Sequence, residues 1–179
     1  WRKFIIYARD NYGLKVTEEE AQASRESFFD TYPDLVPWHD RQRKFARRHG
    51  YVTTLTGRRR RLPQAMLHYD TPERRESERQ AINSPVQGFA AELCLMAGLQ
   101  LCEEYGPSIV RGCGTIHDAV LFLSKETRVH KVVPRMLQIM TSPSRLETFG
   151  IKIRVPIEAE AAIGPWSQGV GLEQWLEAK

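Results

Sequence analysis

Two short apolar runs separated by only two residues constrain the fold of this chain more than any other feature. Residues 109–116 and 119–123 form the runs, and His117-Asp118 connects them. Two strand-like runs with a two-residue connection are typical of a β-hairpin. Because both runs are apolar, we expect the hairpin to belong to a core sheet, with its turn holding the Asp118 carboxylate rigidly.

A long helix is predicted before this hairpin. Thr71-Pro72 supplies an N-cap followed by a favourable first helical residue. Pro85 cannot donate a hydrogen bond to the carbonyl of Ala81, so the sequence predicts a kink near Ser84. Beyond it, six apolar residues recur at helical spacing and predict a core-facing stripe: Val86, Phe89, Ala90, Leu93, Ala97 and Leu101.

The remaining elements mix helices with short strands, and the chain is predicted to be α+β. Thr17 and Glu20 have the pattern of a capping box, and Gly50 has that of a helix C-cap. The other predicted elements, in chain order, are helices over 4–12 and 18–31, a helix ending at 49, a strand over 51–55, a loop over 64–70, a helix over 129–140, a strand over 151–161 and a short helix over 171–178.

The charge distribution is uneven, although the 179-residue chain has a net charge of only +4. Residues 41–69 contain no acidic side chain but many arginines and lysines. Such a block is the electrostatic footprint of a protein that binds a polyanion. A solvated helix face combined with a localisation signal is the alternative interpretation, so charge alone leaves nucleic acid undecided.

Cysteine usage and hydropathy favour an intracellular protein without a membrane partner. The three cysteines (Cys94, Cys102 and Cys113) form no CxxC pair, which favours reduced thiols over a disulfide framework or a zinc site. No apolar stretch approaches the roughly 20 residues of a transmembrane helix. The N-terminal residues lack the features of a signal peptide. We therefore expect a cytoplasmic protein, with an organelle as the alternative.

Asp118 is the first candidate for chemistry. An aspartate in a turn often bonds only the local backbone. A carboxylate fixed on a core sheet can also hold Mg²⁺, which prefers one or two carboxylates together with phosphate oxygens and water. Nucleotidyl transfer by a polymerase uses two such ions, one at the attacking 3′-hydroxyl and one at the leaving pyrophosphate.

Polar residues on the long helix and a run of arginines are the second candidates. Arg79, Asn83 and Gln87 are spaced four apart, so a straight helix places them on one face. Amide and guanidinium donors there can reach minor-groove acceptors that every base pair presents; the alternative is a solvent-facing polar stripe. The turn over 57–61, with Arg58 and Arg59, can bind phosphates or serve as a solubilising loop.

These segments, in this order, resemble the C-terminal part of family A DNA polymerases over nearly the whole chain. The segments that carry the resemblance are Thr17 to Trp38, Gly50-Tyr51-Val52-Thr53-Thr54-Leu55-Thr56-Gly57-Arg58-Arg59-Arg60, Glu78-Arg79 with Asn83-Ser84-Pro85-Val86-Gln87-Gly88 and Ala90-Ala91-Glu92-Leu93, Ile116-His117-Asp118, and Pro156-Ile157-Glu158 to Gly164. The resemblance implies a helical fingers remnant over 1–50 and the C-terminal half of a palm over 51–179, with a small antiparallel sheet.

The resemblance also implies specific roles. Asp118 would ligate one of two catalytic Mg²⁺ ions, and His117 would contact the primer terminus. Arg79, Asn83 and Gln87 would touch the minor groove and template near the new base pair, and Arg58 and Arg59 would hold template phosphates. The implied activity is template-directed DNA synthesis, with primer–template DNA and a deoxynucleoside triphosphate (dNTP) as partners.

The chain departs from the family pattern in two respects. Ala119 stands where the family usually has a glutamate, beside Asp118. The second metal-binding aspartate (motif A), the nucleotide-gripping helix (motif B) and the thumb are not among these residues. We therefore expect a partner N-terminal half, in the same or a separate chain, and little activity from these residues alone. A catalytically inactive polymerase-like DNA-binding module and a general RNA-binding protein are the alternatives.

Overall fold

The computed structural model describes residues 2–165 and 168–178, and its fold is α+β as the sequence predicts. The helices and strands, in chain order, are α1 (Arg2–Tyr12), α2 (Glu18–Thr31), α3 (Leu35–His49), β1 (Tyr51–Thr53), β2 (Arg59–Arg61), α4 (Pro72–Tyr105), β3 (Val110–Ile116), β4 (Ala119–Ser124), α5 (Val129–Thr141) and α6 (Leu172–Glu177). Strands β1 and β2 form one two-stranded sheet, and β3 and β4 form another.

Local capping interactions define the helix ends. The Thr17 hydroxyl accepts from the Glu20 backbone N–H, and the Glu20 carboxylate accepts from the Thr17 backbone N–H at 2.9 Å. Gly50 ends α3 with φ 70°, a left-handed conformation that glycine adopts without steric cost. The Thr71 hydroxyl accepts from the Arg74 backbone N–H at the start of α4. All three caps were predicted from the sequence and are confirmed.

The chain divides into two compact units that interleave in sequence. The first unit comprises 1–52 and 61–82, and the second comprises 53–60 and 83–179. The expected boundary at residue 50 is close to residue 52, where the chain first passes from one unit to the other, but the first unit also includes 61–82. The assignment of the two parts to fingers and palm stays a prediction.

Glu78 of α4 connects α4 to α3 within the first unit through its carboxylate. Its carboxylate accepts from Nε of Arg47 at 2.6 Å and from Nε of Arg74 at 2.9 Å. The hydrogen bond from Arg47, and then that from Arg74, lowers the pKa of Glu78. The core beside this network consists of small and aliphatic side chains: Ala46, Val52, Leu62, Ala65 and Ala81.

The second unit is built around the C-terminal half of α4. Ala97 and Leu101 on α4 are buried against Val110 of β3 and Val132 of α5. A Cβ on Gly98 would lie 3.2 Å from Val120 and 3.3 Å from Phe122, so strand β4 packs directly on the helix. The predicted apolar stripe is confirmed as a core stripe only at Ala97 and Leu101, because Val86 and Ala90 are exposed and Phe89 and Leu93 are half-buried.

Three expectations about secondary structure need correction. Arg59 to Arg61 lie in strand β2 rather than in a turn, because they pair with β1. Part of the predicted loop over 64–70 is a 3₁₀ helix, Pro63–Met66. Residues 151–161 form no strand, because no described segment offers their backbone a hydrogen-bonded ladder; only Ile163 and Val170 form an isolated bridge. Burial nevertheless alternates along 157–161, as it does in a half-buried strand.

Helix α4 is more apolar than the sequence reading expected. By length and composition it could cross a membrane, since one window has a mean hydropathy of 1.2. Several of its apolar residues instead pack in the core of the second unit, where Leu101 is fully buried. Helical structure also continues through Pro85, so this proline does not end α4. Only 22% of that apolar window is buried, so the burial of α4 is concentrated at a few residues.

We predict that Glu78→Gln lowers the free energy of unfolding by about 1–3 kcal/mol at pH 7, because two hydrogen bonds from arginines lose their charged acceptor. Since the folded-state pKa of Glu78 is depressed, its stabilisation is present above the ordinary value of 4.5 and is lost as the pH falls below it. Urea unfolding of parent and variant at pH 7 and at pH 3 measures both effects.

Glu76→Gln is the matched control, because Glu76 lies on the same helix but its ion pair with Arg79 is more than half exposed. This control should change stability little. A difference between parent and Glu78→Gln that does not shrink at pH 3 would contradict the assignment.

Candidate nucleic-acid interface

The turn between β3 and β4 presents His117 and Asp118 to solvent. Ile116 pairs with Ala119 as the last rung of the antiparallel ladder, which confirms the predicted two-residue connection. The expectation of a core sheet is wrong, because Val110 is the only buried residue of β3 and no residue of β4 is buried. His117 has φ 54°, the only positive φ outside glycine in the described ranges. Histidine adopts this left-handed conformation more readily than most residues, but it still requires support from the surrounding structure. The turn is therefore held in one specific shape.

Helix α4 provides part of that support. The Cys94 thiol donates to the backbone carbonyl of Asp118, with Sγ 3.1 Å from the oxygen. Burial raises the pKa of Cys94, and the negative charge of Asp118 raises it further, so the thiol keeps the proton that it donates. No described residue forms a hydrogen bond or ion pair with the Asp118 carboxylate, which remains open to a ligand.

Asn83 and Gln87 are exposed on α4 and form no side-chain hydrogen bond within the described residues. Cys94 follows Gln87 by seven residues, which is about two helical turns and about 10 Å of rise. The thiol that holds the Asp118 turn therefore projects from the same face of α4 as the two amides. Asn83 and Gln87 thus belong to the same compact unit as the Asp118 turn.

Arg79 differs from the two amides in its surroundings. It is exposed on α4 one turn before Asn83, and it belongs to the other compact unit. Its guanidinium donates to the Glu76 carboxylate, with Nε 3.0 Å from Oε2. A DNA contact by Arg79 would therefore compete with, or share, this exposed ion pair.

The tip of the β1–β2 hairpin carries Arg58. Gly57, with φ 92°, closes the turn, and its backbone N–H donates to the Thr54 carbonyl. The Arg58 side chain is 67% exposed and lies 4.0 Å from the Glu92 carboxylate of α4. Arg59 follows, exposed, at the start of β2. Both arginines are thus placed at or next to a short hairpin turn, where they can meet a phosphate backbone.

Glu92 is a residue to which the sequence reading assigned no role. Its side chain is only 12% exposed, and it accepts hydrogen bonds from Thr54 at 3.1 Å and Thr56 at 2.5 Å. The signal was present in the sequence, because Glu92 interrupts an otherwise apolar stretch between Phe89 and Leu93. An acid at such a position needs partners, and these two hydroxyls supply them.

A cavity of about 490 Å³ adjoins the Asp118 turn. Residues 118–121 line one side and 157–162 line another, while Leu93 and Cys94 of α4 contribute to its wall. Strand β4 pairs only with β3 among the described strands, so its other edge has no ladder partner there. The cavity thus lies between β4, which has a ladder partner on one edge only, and the segment 157–162, which belongs to no described strand.

The described residues do not by themselves form a cluster of metal ligands. No group of three or more His, Cys, Asp or Glu side chains in 2–165 and 168–178 is arranged to hold a metal ion. A single exposed carboxylate suits Mg²⁺, which takes most of its ligands from phosphate and water when it acts on nucleotides. The exposed Asp118 carboxylate is compatible with one such ligand, and its role in binding Mg²⁺ stays a prediction.

We predict that His117→Gly and His117→Val differ in stability, although both remove the imidazole. Glycine accepts the left-handed backbone, whereas a β-branched residue there is a severe outlier. The valine variant should be less stable than the glycine variant by about 1–2 kcal/mol, as measured by thermal unfolding at matched concentration. Equal stability would show that the turn relaxes to an ordinary backbone conformation.

Residues 5–168 match the family described as DNA polymerase family A. The chain is 32% identical over 166 residues to the thermostable DNA polymerase I of Thermus aquaticus. The aligned region covers 93% of this chain and 18% of that protein. It is 30% identical to DNA polymerase I of Deinococcus radiodurans, over 85% of this chain and 15% of that protein. The DNA polymerase of Bacillus phage SP01 is 28% identical over 85% of this chain.

A solved structure shows a similar fold. The POL domain of Pol1 from M. smegmatis, in complex with a DNA primer-template and dNTP, has a TM-score of 0.64 and 27% identity, covering 80% of this chain and 24% of that one. The chain thus spans less than a fifth of the curated relatives named above. With the family match extending over most of its length, this chain belongs to DNA polymerase family A.

Proposed function

We propose that this chain forms the fingers remnant and the C-terminal half of the palm of an enzyme that carries out template-directed DNA synthesis. The observation that carries the proposal is the open carboxylate of Asp118, whose backbone carbonyl accepts a hydrogen bond from Cys94 on the same helix as Asn83 and Gln87. The names of the relatives, and the primer-template and dNTP in the similar POL domain, support the same activity.

In this proposal Asp118 holds Mg²⁺ and His117 contacts the primer terminus. Bound magnesium supplies activation of the 3′-hydroxyl and neutralisation of charge on the leaving pyrophosphate. The chain's own contribution is to place the carboxylate. The backbone carbonyl of Asp118 is fixed by the Cys94 thiol, and the left-handed conformation of His117 sets the direction of the backbone before it. No described cation competes for the oxygens of the Asp118 carboxylate.

The surrounding polar residues bind the duplex without reading its sequence. Asn83 and Gln87 have free amide groups that can donate to acceptors in the minor groove, and Arg79 extends the same polar run. Arg58 and Arg59 hold template phosphates, which fixes the register of the duplex and adds salt-dependent affinity. We place this activity in the cytoplasm, as the sequence reading expected.

We further propose that an N-terminal portion of the polymerase contributes a β-strand between β4 and residues 157–161. Support comes from the edge of β4 that no other described strand pairs with, the alternating burial of 157–161 outside any described ladder, and the cavity that both segments line. A strand inserted there would pair with both backbones and cover the apolar wall. It could also bring the second carboxylate to the Asp118 end of the cavity.

A catalytically inactive DNA-binding module remains the second candidate. Ala119 next to Asp118 and the lack of a three-residue metal cluster in the described ranges favour it. The two candidates differ in one measurable respect: an active polymerase extends a primer when magnesium and the N-terminal portion are supplied, whereas an inactive module binds the same primer–template without extending it.

We predict that Asp118→Ala, in the complete polymerase, lowers primer extension by about 10³-fold or more, because the lost ligand removes several kcal/mol of transition-state stabilisation. Primer–template affinity should stay nearly unchanged, since the duplex contacts remain. Gel-based extension and fluorescence anisotropy measure the two quantities. Asp30→Ala, at another exposed aspartate on α2, is the control and should leave both unchanged. Full extension by Asp118→Ala would refute the role of this carboxylate.

We also predict that Cys94 becomes protected from alkylation when the N-terminal portion is added, because its thiol lines the proposed strand site. Cys102→Ala with Cys113→Ser leaves Cys94 as the only thiol of the chain. The rate of reaction with N-ethylmaleimide should then fall several-fold on assembly. A matched variant that retains only the exposed Cys113 should react at the same rate with and without the partner. Equal rates for Cys94 would argue against strand insertion.

A further inference from the structure

We infer that Glu92 is a positioning residue that fixes the Arg58-bearing hairpin tip against α4, at a set distance from the face of α4 that carries Asn83 and Gln87. The inference rests on the proposed function, because it assigns Glu92 to the placement of a proposed phosphate contact. The Glu92 carboxylate bridges to the hairpin through the Thr54 and Thr56 hydroxyls and lies 4.0 Å from the Arg58 guanidinium.

The hairpin tip is organised around these contacts. Thr54 joins the two ends of the turn, since its backbone N–H donates to the Arg58 carbonyl at 2.9 Å and its hydroxyl accepts from the Arg58 N–H at 3.2 Å. The same hydroxyl donates to Glu92. The backbone that carries Arg58 is therefore tied to α4 through one threonine side chain, and a change at Glu92 would be transmitted directly to it.

Gly88 makes this close approach possible. A Cβ at Gly88 would lie 2.8 Å from Cγ2 of Thr54, a distance that real side chains do not tolerate. The Thr54 side chain cannot rotate away cheaply, because its hydroxyl is engaged on both sides. Gly88 and Glu92 lie one turn apart on α4, so the helix offers the hairpin a gap to enter and an acceptor to bind.

The chemistry of the contact favours placement of Arg58 over stability alone. A buried carboxylate is costly unless it is hydrogen-bonded, and an apolar residue at 92 would simply continue the stripe of α4. Glu92 instead provides directional acceptors for two hydroxyls while leaving Arg58 mostly exposed. The guanidinium has five donors, so a loose contact with Glu92 leaves donors for a phosphate.

A double-mutant cycle in the complete polymerase tests the inference. Arg58→Ala should weaken primer–template binding by about three- to tenfold and reduce the magnitude of the log–log salt slope by about 0.9, the signature of one phosphate contact. Glu92→Asp keeps the negative charge but cannot reach both hydroxyls, so it should produce a similar loss. In the Arg58→Ala background, Glu92→Asp should then have no further effect on either quantity.

Thr56→Val provides a second variant, because it removes one hydroxyl without changing charge or volume, and it should mimic Glu92→Asp. Glu103→Asp, at an exposed acid on the same helix, is the matched control and should leave DNA affinity at the parental value. The extension rate at saturating DNA should be parental for Glu103→Asp, since Glu103 lies outside the contacts that position the hairpin tip.

The outcomes separate this inference from the proposed function. If Arg58→Ala weakens binding but Glu92→Asp and Thr56→Val do not, Glu92 has no positioning role and the proposed function stands. If Glu92→Asp has the same effect with and without Arg58, its role is purely structural and the inference is also overturned. If Arg58→Ala leaves both affinity and salt slope unchanged, the proposed phosphate contact itself fails.

Discussion

Packing against one stretch of α4, from Asn83 to Cys94, determines where the candidate site residues lie in the second unit. The β1–β2 hairpin tip meets this stretch at Gly88 and Glu92, and the β3–β4 turn meets it at Cys94. The hairpin and the turn are short and have little core of their own, so neither could hold a charged side chain in place alone. Helix α4 continues through Pro85, so the hairpin and the turn both pack against the same continuous helix.

Features that depend on neighbouring residues in the chain were predictable from the sequence. The caps at Thr17, Gly50 and Thr71, and the hairpin around His117, arise from interactions over a few residues and were confirmed. The role of Glu92 was not predictable in the same way, because its partners lie 36 and 38 residues away. A charged residue within an apolar stretch was visible in the sequence, but the sequence does not reveal which element would supply its hydrogen-bond partners.

The failed strand prediction has a different physical cause. Alternating polarity over 151–161 reports that one side of the segment is covered, and burial along 157–161 does alternate. A strand also needs a neighbour whose backbone pairs with it, and periodicity contains no information about that neighbour. The same limit applies to β4, whose apolar sequence suits a buried strand although only one of its edges is paired among the described residues. A sequence pattern thus predicts which face is covered but not what pairs with the edge.

The exposure of Asp118 has a related physical cause, which is the cost of placing several carboxylates together. Carboxylates gathered around an absent cation repel one another and cost stability, whereas a single solvated carboxylate is cheap to maintain. A site that receives one acid from each of two chain segments avoids that cost until the segments and the nucleotide meet. Under the proposed function, the isolated acid beside Ala119 and the open cavity next to it would belong to one half of a shared site. In that proposal the positioning contacts of Cys94 and Glu92 would matter most, because they would place the Asp118 turn and Arg58 before a second segment binds.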